Sequence, residues 1–281
     1  MIDLLAVGHT ARDEFPDGSW RLGGSALYGA VTASRLGARV ALVTRVGPGE
    51  RDALDERCRR ERIELVALPS NTTTTFAFRY DPDGHRTLRL RSRARGIALA
   101  DIAGRLRISR AAILGSIAHE LSRDVFAGLR APVSVLIAQG YLRSWEADGT
   151  IRPRDWSEAH EVLPHVTAAV VSEEDIAGHE RVVERWTEHT TLVVTHAERG
   201  ATVHPKDGPP VDVPAFGADA VVDPTGAGDA FAAAFAVALA DGRDPREAAR
   251  FANAAASFAV EGPGTDALAD RGRVEARLSG G

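Results

Sequence analysis

Short apolar runs recur along the chain at intervals that a helix can fill, and this alternation predicts the architecture. The first run, LLAVG (4–8), is followed by GGSALYGAVTASRLG (23–37). There small and apolar residues fall at helical spacing, ahead of a glycine that signals a C-cap. ARVALVTRVG (38–47) predicts a second buried strand, and ERDALDERCRRERIEL (50–65) an amphipathic helix with a solvated Arg/Glu face. The runs AAILGSI (111–117), VSVLIAQG (133–140), AAVVSEEDI (168–176) and TLVVTHAERGA (191–201) are separated by helical patterns. Such alternation indicates a mainly parallel α/β sheet covered by helices on both faces. Residues 72–94 break the pattern: they alternate, carry threonines and aromatics, and hold DPDG (81–84) as a hairpin turn. They predict a two-stranded flap beside the main sheet. HPKDGPPVDVP (204–214) reads as a surface hairpin or loop; AVV (220–222) reads as a strand feeding an alanine-rich helix that ends near Ala240.

Composition narrows the function classes. A chain of 281 residues suits one large unit, here taken as a single domain over 1–281 with lid elements near 12–22 and 72–94. The longest apolar runs, such as FAAAFAVALA (231–240), fall far short of the roughly 20 residues that span a bilayer. MIDLLAVGHT resembles no secretory leader. The single cysteine, Cys58, excludes an intramolecular disulfide. A cytoplasmic location, with no membrane partner, is therefore expected. A net charge of −5 gives no reason to expect nucleic acid as a partner. Lys206 is the only lysine, so the GxxxxGK[ST] phosphate loop is missing. VGHTARD fails the dinucleotide GxGxxG pattern, and no histidine shows zinc-ligand spacing.

One short stretch carries more specific chemistry. DPTGAGDAF (223–231) sets two glycines and two aspartates at the entry to the alanine-rich helix. A helix N-terminus exposes unpaired N–H groups and partial positive charge, and Gly226 and Gly228 let an anion approach them without a Cβ in the way. Alone, GxGD serves as well for a turn whose aspartate complements the helix dipole. The whole string, late in the chain, resembles the C-terminal signature of the ribokinase-like (pfkB) carbohydrate kinases. Other segments resemble that family in order: LGGSALYGAVTASRLGARVALVTRVG (22–47), VVSEEDI (170–176), LVVTHAERGATVH (192–204) and AARFANAAASFAVEGPGT (248–265).

The resemblance implies a three-layer αβα sandwich with a small β lid, and phosphoryl transfer from ATP with Mg2+ to an alcohol. Asp229 matches the base that takes the hydroxyl proton, and the amides of Gly226, Ala227 and Gly228 match the anion hole. A carboxylate at a helix N-terminus should stay ionised, a weak base that suffices because the transition state is loose. On the nucleotide side the resemblance points to Ser172, Thr195, Gly200, Thr225, Gly226, Gly228 and Asn253. On the substrate side it points to Asp13, Gly23, Gly24 and Tyr28. Gln139 and Arg143 are added because they follow a strand at the sheet's carboxyl edge. Asp175 or Glu174 would hold Mg2+ through water, and Asp223 with Thr225 matches a monovalent-cation site, which would take K+.

Four departures from the family pattern concern the substrate more than the reaction. Tyr28 stands where asparagine is common, Ser172 and Asp175 replace the asparagine and glutamate of NxxE, Ala197 replaces a glycine, and GPGE (47–50) lacks an acidic pair. The expectation is a kinase of a small polyol, most simply a sugar. The alternatives are a nucleoside, a cyclitol such as inositol, or a catalytically silent nucleotide- or sugar-binding regulator on the same fold. The threonines and aromatics of 72–94 would suit a homodimer paired through the lid.

Overall fold

The computed structural model of the chain describes residues 2–80 and 86–280. The chain begins β1 (Leu4–Val7), β2 (Ala11–Glu14), β3 (Trp20–Gly23), α1 (Ser25–Arg35), β4 (Val40–Arg45), α2 (Pro48–Arg60) and β5 (Glu64–Leu68). It continues through β6 (Thr74–Tyr80), β7 (Arg86–Ser92), β8 (Ala111–Gly115), α3 (Arg123–Gly128), β9 (Val133–Ile137), β10 (Arg143–Trp145) and β11 (Ile151–Pro153). The last part comprises α4 (Ala159–Val162), β12 (Ala168–Ser172), α5 (Val182–Thr187), β13 (Thr191–Thr195), β14 (Ala201–His204) and β15 (Val211–Val213). Three helices close the chain: α6 (Ala227–Ala240), α7 (Pro245–Ala259) and α8 (Arg271–Gly280).

Nine strands form one sheet in the order β15-β14-β13-β12-β9-β8-β1-β4-β5. The crossovers are long enough for helices, so β12 through β5 run parallel; β13, β14 and β15 are joined by short turns and pair antiparallel. The buried apolar strands present alternate residues to two cores. Leu4, Ala6, Leu42 and Ile113 pack with Phe231, Phe235 and Phe251 on one side. Leu5, Val7, Val43 and Leu114 pack with Phe126, Val162 and Trp186 on the other. This is the mainly parallel α/β sheet covered on both faces that the alternation predicts, in the three layers that the resemblance implied. Helix α6 is buried from Ala230 to Ala238 and lies against α1 and α7. Its alanines explain that: a helix apolar on every side must be covered on every side, and small side chains permit close approach.

A second sheet of four strands, β3-β2-β6-β7, stands beside the first. The flap read at 72–94 supplies β6 and β7, and the lid element read near 12–22 supplies β2 and β3; the DPDG turn at 81–84 lies outside the described residues. Thr74 bonds His9 Nδ1 at 2.8 Å, Thr75 donates to the Thr73 carbonyl at 3.0 Å, and Phe76 and Phe78 are buried. Thr74, Thr75, Phe76 and Phe78 are thus engaged within one chain. The same strands present Arg12, Glu14, Arg89 and Arg91, linked into ion pairs with Glu50 and Asp148 among others.

Two boundaries differ from the sequence expectation. The helix predicted over 50–65 stops at Arg60; Arg62 turns the chain at φ 57°, Ile63 N–H bonds the Cys58 carbonyl at 2.8 Å, and Glu64–Leu68 becomes an edge strand. The AVV run at 220–222 forms no strand. Val221 and Val222 are 75% and 60% exposed, and Val222 N–H bonds the Val260 carbonyl at 2.7 Å in the loop between β15 and α6. Its β-branched residues favour extended backbone, but the sheet already ends at β15, so no ladder receives them. Among the described residues no helix is long and apolar enough to cross a membrane.

Candidate active site

The turn into α6 is built around a residue that only glycine suits. Gly226 sits at φ 85°, and a Cβ on it would lie 2.1 Å from the Tyr28 ring. Its carbonyl accepts the first helical bond from Ala230 N–H at 2.8 Å. Ala227 N–H turns back to the Pro224 carbonyl at 3.3 Å. The first-turn donors beyond reach of any helical carbonyl are then Gly228 and Asp229. Around the Cβ position of Gly228 nothing approaches within 4 Å. Of the Gly226, Ala227 and Gly228 amides read from the sequence, that of Ala227 is the one turned back to a backbone carbonyl.

Asp229 is half-buried in the first turn of α6, and its carboxyl is pushed from 3.8 up to about 6. Burial is the main cause; the Ser25 hydroxyl and the Arg143 guanidinium pull it down, and Asp175 pushes it up. The sequence expectation had the helix dipole holding this carboxylate in the ordinary range. A dipole is worth roughly 0.3–1 kcal/mol at an open helix end, less than a carboxylate loses when water is stripped from it.

Side chains from the carboxyl ends of β9 and β12 complete this end of the cleft. Asp175 Oδ2 accepts from Ser172 N–H at 3.1 Å and Ser172 Oγ at 2.7 Å, and Asp175 Oδ1 accepts from Gln139 Nε2 at 3.1 Å. Arg143 Nη2 stands 4.0 Å from Asp175 Oδ1 and also acts on Asp229. Gln139, Arg143, Ser172 and Asp175 thus form one cluster, and the charges of Arg143 and Asp175 act on Asp229. Glu174 is exposed. Among the described residues no three His, Cys, Asp or Glu side chains gather closely enough to hold a metal by themselves.

The other nucleotide-side candidates stand on β13, just ahead of β14, on α7 and in the turn before α6. Thr195 stands opposite Ser172 in the β12–β13 ladder and donates to the Val171 carbonyl at 3.3 Å. Gly200, at φ 102°, passes so close to β15 that a Cβ would lie 2.2 Å from the Val213 carbonyl. Asn253 is 7% exposed and its Nδ2 is held by the Val213 and Pro214 carbonyls at 2.9 and 3.0 Å. Its amide N–H groups tie α7 to the end of β15 and are not turned to a ligand. Thr225 N–H bonds Asp223 Oδ1 at 3.0 Å, and Asp223 Oδ2 pairs with Arg21 Nη1 at 3.1 Å.

On the substrate side, Asp13 is 9% exposed and its carboxylate lies against Gly23, whose Cβ would sit 2.1 Å from Oδ2. Gly24, at φ 97°, passes under the His9 carbonyl, 2.4 Å from where its Cβ would be. Tyr28 is 3% exposed and packs its ring on Gly226, so it backs the turn and offers little surface to a substrate. Burial together with Asp13, Asp229 and Asp223 drives its hydroxyl pKa up and keeps it neutral. A cavity of about 500 Å³ between the small sheet and the α6 turn is lined by Phe15, Arg21, Phe78, Val222 and Asp223 among others.

Sequence reasoning missed Ser25 and Arg21. Ser25 follows the Gly-Gly pair directly, a position where a capping hydroxyl could have been sought. Arg21 and Asp223 are too far apart in sequence to suggest a pair. Glu120 is 1% exposed and turned inward. Its carboxylate accepts from the amides of His9, Ile117 and Ala118 and from Ser116 Oγ, at 2.8–3.1 Å. His9 Nε2 meets the Arg95 carbonyl at 2.9 Å, so that nitrogen donates and Nδ1 accepts from Thr74. Burial holds the His9 pKa below its ordinary value. This network fixes the base of the small sheet where β1 leads into β2.

Solved structures of similar architecture place the fold. The chain superposes with a TM-score of 0.80 and 25% identity on a pyrophosphate-dependent kinase in the ribokinase family, covering 97% of this chain and 99% of that one. For the Arabidopsis thaliana ribokinase complexed with ribose and ATP the TM-score is 0.77 at 18% identity, covering 99% and 98%. For the Methanocaldococcus jannaschii nucleoside kinase it is 0.78 at 19%, covering 100% and 99%. The last two likenesses are of fold alone. Among curated proteins, the bifunctional protein HldE of Rhodopseudomonas palustris (strain HaA2) is 50% identical over 74 residues, 26% of this chain but only 15% of that protein. Residues 109–271 match the family model described as pfkB family carbohydrate kinase. That match spans more than half of the chain and includes the α6 turn with Asp229, and on it the protein belongs to the pfkB family of carbohydrate kinases.

Proposed function

We propose that this kinase transfers a phosphoryl group from ATP, with Mg2+, to a hydroxyl of a small uncharged polyol, and that Asp229 is the base. The observation that carries the reading is the meeting of a half-buried carboxylate and helix amides without carbonyl partners at the mouth of α6. With its pKa near 6, Asp229 is ionised at neutral pH yet basic enough to accept a proton. MgATP supplies the phosphoryl group. The acceptor hydroxyl hydrogen-bonds Asp229; its oxygen bonds to phosphorus as the bond to the departing ADP oxygen breaks, and its proton passes to the carboxylate. The amides of Gly228 and Asp229 face the oxygens on which charge collects. Glu174, exposed beside Asp175, is the carboxylate of that pair free to meet a metal-bound water.

Charge balance supports an uncharged acceptor. Among the described residues, four carboxylates, Asp13, Asp175, Asp223 and Asp229, stand around the cleft with two guanidiniums, Arg143 toward Asp175 and Arg21 on Asp223. An anionic substrate would meet net repulsion. Asp13, held against Gly23, can accept from two adjacent hydroxyls. A sugar is the first choice and a nucleoside or inositol the alternative.

Coupled ADP release over a panel of sugars, nucleosides and inositols tests the reading, with pyrophosphate as a second donor because the neighbour at 25% identity uses it. Turnover is expected with a neutral polyol and not with its phosphate ester. Silence with every acceptor and both donors, from folded protein, would overturn the proposal. The same assay checks the electrostatics. The acid limb of kcat/KM is expected near pH 6, moving down in Asp175→Asn and up in Arg143→Met, since each change removes a charge of opposite sign acting on Asp229. Limbs that move together, or not at all, would separate Asp229 from the observed titration.

A further inference from the structure

The pair between Arg21 and Asp223 joins the small sheet to the α6 turn, and it occupies the carboxylate that the family pattern offers to a monovalent cation. Both oxygens of Asp223 are engaged: Oδ1 by Thr225 N–H at 3.0 Å and Oδ2 by Arg21 Nη1 at 3.1 Å. The guanidinium is itself held, lying 4.8 Å over the Phe15 ring, which stacks on Phe78 at 5.2 Å with 7° between planes. The donors present therefore fit a resident guanidinium better than an exchangeable K+.

Resting on the phosphoryl-transfer reading above, we infer that Arg21 is a positioning residue whose guanidinium supplies at Asp223 the charge that a monovalent cation would otherwise bring, so that the kinase needs no K+. The physical chain is short. Arg21 fixes the Asp223 carboxylate, Asp223 holds the Thr225 amide, and Thr225 precedes Gly226, the left-handed residue that aims the Gly228 and Asp229 amides. A side-chain–backbone turn of this kind sets the loop conformation without touching the substrate. Arg21 also stands opposite Asp13 in the β2–β3 ladder. The strand pair that carries the substrate carboxylate thus also delivers this charge, and both reach the turn only when the small sheet lies against the main one.

The experiment compares wild type, Arg21→Ala and Arg21→Lys in K+, Na+ and tetramethylammonium at constant ionic strength, by thermal unfolding and by turnover. Wild type should show one Tm and one kcat, within twofold, in all three salts. Arg21→Ala should fall about tenfold in kcat in tetramethylammonium and unfold at lower temperature, with K+ or added guanidinium restoring part of both. Arg21→Lys should stay close to wild type, and Asp223→Asn should abolish the K+ response of Arg21→Ala. Several-fold activation or stabilisation of wild type by K+ would overturn the inference. So would an Arg21→Ala protein indifferent to K+ and to guanidinium in both readouts. The unfolding measurement needs no substrate, so it decides the matter even if the proposed reaction is wrong.

Discussion

Asp229→Asn is expected to lose about 1,000-fold or more in kcat while folding normally and gaining stability at pH 7.5. The rate loss follows from removing the base, which is commonly worth 10²–10⁴-fold, from a site whose other parts only position and stabilise charge. Asparagine keeps the size of the side chain and can still accept from Ser25, so the fold has no reason to change. The stability gain follows from linkage. A carboxyl near 3.8 when unfolded and near 6 when folded is penalised in its ionised form by the fold. Below about pH 4 it is protonated in both states and the penalty is nil; above about pH 6 the penalty is complete. For a half-buried group it is on the order of 1–3 kcal/mol. Asp229→Asn should therefore raise Tm at pH 7.5 and not at pH 3.5. More than a tenth of wild-type turnover would refute the base, and a Tm gain of equal size at both pH values would refute burial as the source of the shift.

Gly226→Ala should lower kcat about 100-fold and destabilise the protein by about 2 kcal/mol. Two effects act together. A non-glycine residue at φ 85° is strained by roughly 1 kcal/mol or more, and the new Cβ would overlap the Tyr28 ring at 2.1–2.7 Å. Tyr28 is 3% exposed in the core under α1 and cannot simply swing away, so the turn must move, and with it the Gly228 and Asp229 amides. A shift of about 1 Å in a positioned group is enough for a loss of this size. Circular dichroism melts and steady-state rates measure both parts. In a Tyr28→Ala background the overlap is gone, and Gly226→Ala should then cost only its backbone strain. An undiminished loss there would show that the Tyr28 contact is not what sets the turn.

Much of the fold was legible because it rests on local periodicity. Runs such as LLAVG and VSVLIAQG carry the strand signal within themselves, and the alanines of α6 announce a helix buried on every side. The places where reading failed share a cause. The AVV run has strand propensity but no ladder left to join, and the helix predicted to Leu65 ends at Arg60 because Glu64–Leu68 finds β4 to pair with. In each case pairing at long range decided the outcome, and no local window contains it.

The candidate site divides along the same line. DPTGAGDAF named Asp229 and its glycines because the turn, the helix start and the carboxylate occupy a few consecutive residues whose stereochemistry is local. Distance-dependent properties were settled by packing. Burial, and not the helix dipole, sets the Asp229 pKa; Tyr28 became backing for Gly226, Asn253 a tie to β15, and Arg21 the counter-ion of Asp223. Desolvation and Coulomb energy depend on separation in space, which the order of residues specifies only after the chain has closed on itself.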